Sequence, residues 1–440
     1  MFKELKVMQT ETTILNQTML VEKPKSMRDF WVFFTGQAFS LLGSRLVQFS
    51  IVWWITSTTG SASVLAFASI MALLPHVLIS PFAGALVDRW DRRKVMMAVD
   101  AVNAFAVVVL ALLFTWNSIQ FWHVYALMFV RAVGGAFHWP AMQASMSLIV
   151  PEEQLSRVAG LNQALMGLSA IMAPPLGALL LNVLPIESIL AMDVGTAALA
   201  ITLLMFIKIL QPDNKDSEKT SEGLKQVLGD IREGFRFVAG WKGLLIIMGI
   251  AMTFNLLMVP AMSLTPLLVT EHFAGGPKEY AVLEATIGLG MVTGGLLLGA
   301  WGGFKSRILT GFAGAIIMGV GTGLVGLAPS NLYIMALVGM ALTGFMNPIV
   351  NGSIFSLLQA KVPPEMQGRV FTLMMSGTAA MAPLGLTFAG PLSEVLGVRS
   401  WFLAGSVVII LMSAAAYFSP SVRELEDINR ARSKSLTNLK

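Results

Sequence analysis

Cysteine is absent from the sequence, and charged residues are scarce. Without cysteine the chain has no disulfide framework, no thiolate nucleophile and no cysteine metal site. The charged residues, 12% of the 440, gather in short clusters between long apolar stretches. The net charge of +5 does not indicate nucleic-acid binding, because that surface needs a basic face interleaved with stacking aromatics on a soluble fold. Nucleic acid is therefore excluded as a partner.

The motifs of ATP-driven pumps and of common membrane enzymes are also missing. There is no G-x-x-x-x-G-K-[ST] loop to hold nucleotide phosphates and no H-E-x-x-H zinc motif. None of the four histidines has an aspartate five residues later, as membrane acyltransferases would require. The sequence therefore predicts no enzyme, no cofactor and no metal site.

Apolar residues, in contrast, are abundant. They make up 55% of the chain, and there are 40 glycines besides. About 20 apolar residues are needed to cross a bilayer as a helix, and twelve windows meet or approach that length. The predicted spans are residues 30–56, 62–87, 95–115, 121–149, 157–181, 188–209, 243–269, 281–303, 308–327, 331–359, 370–396 and 399–418. The fold class predicted is an all-α integral membrane protein.

Two halves and three polar segments divide the predicted chain. Residues 1–29 form an N-terminal segment without a cleaved signal, 30–209 a six-helix half, 210–242 a linker, 243–418 a second six-helix half, and 419–440 a tail. Most Lys and Arg residues fall on one side of the spans, which the positive-inside rule makes cytoplasmic, together with both termini. The exceptions are Arg45, Arg131, Lys278 and Arg399.

The two halves look like copies of one another. Residues 150–158, after span four, recur in similar form as residues 362–370, after span ten. Residues 172–177 in span five return as residues 381–385 in span eleven. Because an even number of spans separates the copies, the repeat is parallel.

The sharpest local motif lies between spans two and three, where residues 84–94 read Gly-Ala-Leu-Val-Asp-Arg-Trp-Asp-Arg-Arg-Lys. It resembles the signature loop of the major facilitator superfamily, G-x-L-x-D-R-x-G-R-[RK], with Asp91 at the inner glycine. Gly84 would let span two approach a neighbour, and Asp88 would face the positive N-terminal end of span eleven near Arg369. The resemblance implies a latch between the halves. Its residues are Gly84, Asp88, Arg89, Arg92 and Arg93.

Arg131 lies near the middle of span four, where a charge is expensive and normally faces the protein interior or a watery cavity. Its surroundings are similar to the superfamily's second motif, with Gly134 in place of the usual polar residue, and in that family the arginine is associated with proton coupling. The candidate acids are Asp100 in span three and Asp193 in span six, because a low dielectric favours the protonated form of a carboxyl group. A structural bridge from Arg131 to an acid is the alternative.

Span five carries Gly-Leu-Ser-Ala-Ile-Met-Ala-Pro-Pro-Leu-Gly-Ala at 167–178. It resembles a relaxed antiporter motif, G-x-x-x-G-P-x-x-G-G, in which three of the glycines are missing. Pro174 and Pro175 remove backbone hydrogen bonds and Gly177 permits close packing, so the segment can bend and seal against a neighbour. The resemblance favours export, and a plain kinked packing helix is the alternative.

Spans one, four, seven and ten line the central cavity in this superfamily. Here they offer few polar groups among many aromatic residues, which suits a bulky, amphipathic ligand. The cavity candidates are Gln37, Arg45, Gln48, His138, Asn255, Met258, Asn347 and Asn351. Arg45 would repel a cationic ligand unless it is paired. Glu284, near the outer end of span eight, is interpreted as a solvated rim residue.

Over most of its length the chain resembles the macrolide-efflux branch of the superfamily. Segments 36–40, 88–94 and above all 131–160 carry this resemblance. It implies proton-driven drug efflux across a bacterial plasma membrane, without fixing the substrate.

The predicted function is therefore secondary transport. A hydrophobic or amphipathic small molecule, macrolide-like, would leave as protons enter by alternating access. The partners are then the small molecule, protons and membrane lipid, and a monomer is expected. The first alternative is a lysolipid or lipid flippase or a siderophore exporter of the same fold, and the second is a non-transporting membrane sensor or scaffold.

Overall fold

The computed structural model describes residues 27–87, 89–207, 209, 229 and 232–425. Within these ranges the chain is helical, without strands. The long helices are α1 Met27–Thr59, α2 Ala62–Val87, α3 Arg92–Thr115, α4 Phe121–Ile149, α5 Leu155–Val183, α6 Ile186–Met205, α7 Lys242–Ser263, α8 Pro277–Trp301, α9 Arg307–Leu327, α10 Tyr333–Lys361, α11 Pro364–Leu396 and α12 Val398–Phe418. The predicted twelve-helix architecture is confirmed.

Eleven of these helices are long and apolar enough to cross a membrane. The exception is α4, whose sequence includes Arg131, His123 and His138. These side chains lower the mean hydropathy of the helix, yet α4 packs between α2 and α3 like its apolar neighbours. Its polar groups therefore face the protein, as expected for charges at membrane depth.

Some helices begin or end at other residues than the predicted spans, because the limits of an apolar stretch are not always the limits of the helix. The seventh span was predicted to reach residue 269, but α7 ends at Ser263 and a short turn, Thr265–Leu267, leads into a π-helical turn, Leu268–His272. Pro266 at the start of that turn interrupts the regular hydrogen bonding. At the other extreme, α11 begins at Pro364, six residues before its predicted span, because an amphipathic helix continues beyond the apolar stretch.

Each half has the same internal packing. In the first half α1 packs on α5 and α6, α2 on α4, and α3 on α4 and α6. In the second half α7 packs on α11 and α12, α8 on α10, and α9 on α10 and α12. Every pair in one half thus has its counterpart six helices later, which confirms the parallel repeat.

The halves meet through two equivalent helix pairs, α2 with α11 and α5 with α8. Small residues bring these helices close: a Cβ on Gly390 would lie 2.8 Å from the Ser63 Cα, and one on Gly288 would lie 2.9 Å from Ile171 Cγ1. Small residues are what membrane helices use for close approach.

The two ends of the bundle are packed differently. We call the end where α2 leads into α3, near Arg89 and Lys94, the basic end, and the other the opposite end. Toward the opposite end one buried cluster joins both halves, from Val47 and Leu65 to Leu264 and Phe402. At the basic end the buried residues form two separate clusters, one in each half. The halves therefore close at the opposite end and part toward the basic end.

Candidate functional site

A cavity of about 600 Å³ lies between the two halves. Its walls come from α1, α2 and α5 of the first half and from α7, α8 and α10 of the second. A pocket of about 440 Å³ lies within the first half, and one of about 250 Å³ within the second. The second-half pocket shares Phe254, Asn255 and Asn347 with the central cavity, so the two adjoin.

The structure divides the predicted cavity residues among these three spaces. The central cavity is lined by Arg45, Gln48, Asn255, Met258 and Asn347. Gln37 and His138 line the first-half pocket, and Asn351 lines the second-half pocket. Five of the eight predicted residues therefore line one cavity, and the other three line the pockets within the two halves.

Apolar surface dominates the second-half wall, and its asparagine side chains make hydrogen bonds within their own helices. Asn255 Nδ2 donates to Ala251 O at 3.1 Å, and Asn351 Nδ2 donates to Asn347 Oδ1 at 3.2 Å. Met258 is 3% exposed, and its sulfur accepts a hydrogen bond from Thr322 Oγ1 at 3.6 Å. Met258 thus packs largely into the second half.

The predicted intramembrane arginine forms an ion pair in the first half. Arg131 Nη1 lies 2.8 Å from Asp193 Oδ2, and Arg131 Nη2 donates to Ser44 O at 3.3 Å. Asp193 is 5% exposed, and it fits beside α1 because residue 43 is glycine: a Cβ there would lie 2.9 Å from Asp193 Oδ1. Of the two predicted acids, Asp193 is therefore the one that contacts Arg131.

The other predicted acid has a histidine neighbour. His138 Nε2 lies 3.4 Å from Asp100 Oδ1, and this approach does not have hydrogen-bond geometry. Both residues line the first-half pocket with Arg131 and His76. One carboxylate, two imidazoles and a guanidinium thus line the first-half pocket.

Glu284 corrects the interpretation that it is a solvated rim residue. It lines the central cavity together with Arg45 and Tyr280. Tyr280 precedes Glu284 by one helical turn, and its ring stacks on Phe49 with 5.1 Å between centroids. The spacing of Tyr280, Glu284 and Ile287 puts them on one face of α8, and that face is turned toward the cavity.

Metal binding has no visible site in the parts of the chain that the structure describes. No three His, Asp or Glu side chains converge there.

Comparison with known proteins then decides the family. Residues 33–386 match the model of the Major Facilitator Superfamily. The chain belongs to this superfamily. Macrolide efflux protein A of Streptococcus pyogenes is 33% identical over 397 residues, which are 90% of this chain and 97% of that protein. Multidrug efflux pump Tap of Mycolicibacterium fortuitum is 28% identical over 394 residues, 87% of this chain and 94% of the pump. The predicted resemblance to the macrolide-efflux branch is confirmed.

Solved structures of superfamily transporters share the fold. A bacterial homologue of the iron transporter ferroportin in an inward-facing state has a TM-score of 0.65 at 14% identity, covering 89% of this chain and 99% of that one. The inward-open xylose transporter XylE from E. coli has a TM-score of 0.63 at 13% identity, covering 90% and 99%. At this identity the likeness concerns architecture alone.

The superfamily's signature loop is only partly described, because Asp88 lies outside the described residues. Asp91, which replaces the inner glycine, accepts a hydrogen bond from Lys94 N at 3.1 Å and so caps α3. Arg93 Nη2 donates to Met205 O at 2.8 Å, which joins the start of α3 to the end of α6. The loop thus stabilises the basic end of the first half.

The remaining latch residues differ in their surroundings. A Cβ on Gly84 would meet no described atom within 4 Å, Arg92 is 7% exposed, and Arg89 is exposed. Arg369 Nη1 lies 3.0 Å from Glu233 Oε1, on the segment that precedes α7. The latch stays a prediction for a state in which the basic end is closed.

The antiporter-like motif of the superfamily lies where α5 meets α1 and the cavity. Pro174 lines the cavity, and α5 runs continuously through Pro174 and Pro175 from Leu155 to Val183. A Cβ on Gly177 would lie 2.6 Å from the Phe49 ring. The glycine therefore permits the close α1–α5 contact that holds Phe49 against Tyr280.

Proposed function

We propose that this transporter exports a large, amphipathic, macrolide-like molecule in exchange for protons by alternating access. The observation that carries the proposal is the cavity between the halves, closed at one end and lined by both. Apolar walls with a few asparagines suit such a molecule. Relatives named for macrolide and multidrug efflux, matched over most of the chain, support the substrate class.

The proposed orientation places the basic end in the cytoplasm of a bacterium, with the bundle in the plasma membrane and both termini inside. The excess of Lys and Arg at that end supports it. The cavity then faces inward, ready to take up substrate from the cytoplasm or the inner leaflet. A single chain contains both halves, so a monomer suffices.

The proposed proton path uses the charged residues of the first half. Arg131 and Asp193 form a buried ion pair. Asp100 lies beside His138 at the first-half pocket. A proton taken up by Asp193 weakens its attraction to Arg131, and one taken up by Asp100 removes the negative charge beside His138; either supplies a local event that biases the two states. Asp88, Arg89 and Gly84 form the proposed latch of the state closed at the basic end.

Uptake into inverted membrane vesicles tests this function. The interior is acidified, a radiolabelled macrolide is added, and uptake is compared with vesicles lacking the protein and with vesicles treated with a protonophore. Protein-dependent uptake that the protonophore abolishes is expected. If inserted protein moves no macrolide but moves fluorescent phospholipid analogues, lipid export replaces the proposal.

A further inference from the structure

One pair of opposite charges faces the central cavity across the boundary between the halves. Arg45 comes from α1 and Glu284 from α8, and they are the only charged residues among the described lining residues. The lining parts of α2, α5, α7 and α10 contribute no charged side chain, and Tyr280 on α8 is the other ionisable group. A positively charged group on a bound molecule can therefore pair with one acid among these lining residues, Glu284.

The hydrogen-bonding groups of Arg45 and Glu284 are not all used within this pair. Arg45 Nε is buried and has no hydrogen-bond partner among the described residues. A buried guanidinium with a free donor indicates a site that is incomplete in this state. The structure therefore shows no hydrogen bond from Arg45 Nε to the Glu284 carboxylate.

Aromatic rings lie beside the carboxylate. Tyr280 is one turn from Glu284 on α8, and its ring stacks on Phe49 at 5.1 Å and on Trp53 at 6.2 Å. Tyr280 and Phe49 are only 7% and 6% exposed and their faces are stacked on each other, so the rings give the acid an apolar surround. An acid next to stacked rings, in an otherwise apolar cavity, is the environment that selects a positively charged amine attached to an apolar body.

We infer that Glu284, in the apolar surround of Tyr280 and Phe49, binds the cationic amine of the exported molecule, and that Arg45 is an internal cation that competes with it. This inference rests on the proposed export function and assigns its specificity. Since Arg45 and Glu284 belong to different halves, the rocking of the halves changes their separation. Arg45 then replaces the amine when the molecule leaves.

The test compares two ligands of nearly equal size. One is a macrolide with a dimethylamino sugar, and the other is its N-demethyl-N-acetyl derivative, which has no charge. Dissociation constants for both are measured by isothermal titration calorimetry on the purified full chain, for the unaltered protein and for Glu284→Gln, Glu284→Asp and Arg45→Gln. Glu279→Gln is the matched control, because Glu279 lies on the same helix but caps Gly276 N at 2.7 Å outside the cavity.

The expected result is a selective loss. Glu284→Gln weakens binding of the amine by about tenfold or more, the range of one charge-assisted hydrogen bond, and leaves the neutral derivative within about twofold. Glu284→Asp keeps most of the preference for the amine, Arg45→Gln strengthens amine binding, and Glu279→Gln changes neither constant.

An equal loss for both ligands, or no loss, would overturn the inference. If Glu284→Gln does not insert, the Arg45→Gln variant decides, since unchanged amine affinity there contradicts a competing cation. Vesicle transport separates the two proposals. Macrolide transport without Glu284-dependent selectivity removes this inference alone, selectivity without transport removes the export function alone, and an unaltered protein that binds neither ligand removes both.

Discussion

At the scale of single residues, the charges inside the bundle fall into two groups. Arg131 with Asp193, and Asp100 with His138, are neighbours within the first half, whereas Arg45 and Glu284 face each other from different halves. Pairs within a half keep their distance when the halves rock, and we propose that they respond to protons. We propose that the pair between the halves responds to the movement itself.

The stability of the Arg131–Asp193 pair gives the first prediction. Arg131→Ala leaves the buried Asp193 carboxylate without its cation, and we expect a loss of about 3–5 kcal/mol in the free energy of unfolding. Removing both partners, as Arg131→Ala with Asp193→Ala, should cost less than the sum of the single changes. Denaturation of the purified protein in detergent measures both.

Arg157→Ala serves as the control for this prediction, because Arg157 is exposed at the basic end. Strictly additive losses would show that Arg131 and Asp193 are not coupled.

In vesicles, we also expect Arg131→Ala to abolish proton coupling. Normal proton-linked efflux in that variant would remove Arg131 from the proton path.

Sequence reasoning located Arg131 and its acids but misplaced Glu284, and the reason is physical. A lone cation in an apolar span is visible in the sequence, and its partner has to be one of few acids at similar depth. Glu284 lies close to the outer end of its span, which suggested that its side chain is in contact with water. The helical spacing of Tyr280, Glu284 and Ile287 was the signal available, but which face of α8 meets the cavity depends on packing.

At the scale of helices, hydropathy was enough to predict the number of spans and their approximate ends. The apolar stretches fix where a helix can lie in lipid, so α2 and α4 begin and end where predicted. The interruption after α7 and the extension of α11 depend on local backbone chemistry, which a count of apolar residues does not include. Which helices meet between the halves came from the structure.

The contact between α5 and α1 gives the second prediction. Gly177→Ala places a methyl group against the Phe49 ring, 2.6 Å from the nearest ring atom. We expect a loss of about 1–3 kcal/mol in stability, the usual cost of overpacking, and slower macrolide uptake because Phe49 no longer stacks well on Tyr280.

Gly160→Ala is the matched control on the same helix, since a Cβ there would meet no described atom within 4 Å. It should leave uptake unchanged. Equal uptake by the Gly177 and Gly160 variants would contradict the role assigned to the α1–α5 contact.

The closed opposite end gives the third prediction. Glu394 of α11 accepts hydrogen bonds from Ser61 Oγ at 2.7 Å and from Ser63 N at 3.1 Å, so one half caps the N-terminus of a helix in the other. Losing such a cap costs about 1 kcal/mol, which shifts a two-state equilibrium about fivefold. Glu394→Ala should therefore favour the state that is open at the opposite end.

Labelling of a cavity cysteine measures that shift, because the natural chain has no cysteine to interfere. In a Gln48→Cys background, we expect a membrane-impermeant thiol reagent applied at the opposite end to react a few-fold faster after Glu394→Ala. Glu187→Ala, an acid near the same end in the first turn of α6, is the control. An unchanged rate in the Glu394 variant would show that this contact does not hold the end closed.

At the scale of the whole molecule, two similarly packed halves are joined by two helix pairs, α2–α11 and α5–α8. In the alternating-access cycle that we propose, the halves rock about these contacts while each keeps its interior packing. The buried cluster shared at the opposite end would then open as the separate clusters of the basic end come together. A ligand shifts this equilibrium only through different affinities for the two states.

A cross-link at the opposite end gives the fourth prediction. A Cβ on Gly390 would lie 3.2 Å from the Ala66 Cβ, near the separation of a disulfide. The Ala66→Cys and Gly390→Cys double variant should form that disulfide under oxidation, lose transport and regain it on reduction. The single variants, treated in the same way, are the controls, and full transport by the cross-linked protein would contradict alternating access.

Exchange of macrolide for protons is the central claim, and the measurement that tests it most directly uses proteoliposomes containing only this protein. A macrolide gradient is imposed across the membrane without any pH gradient, and a trapped pH-sensitive dye reports proton movement. Proton flow opposite to the macrolide flow, lost in the oxidised Ala66→Cys and Gly390→Cys variant, is the predicted result. Macrolide movement with no proton movement, or no movement at all from inserted protein, would contradict the account.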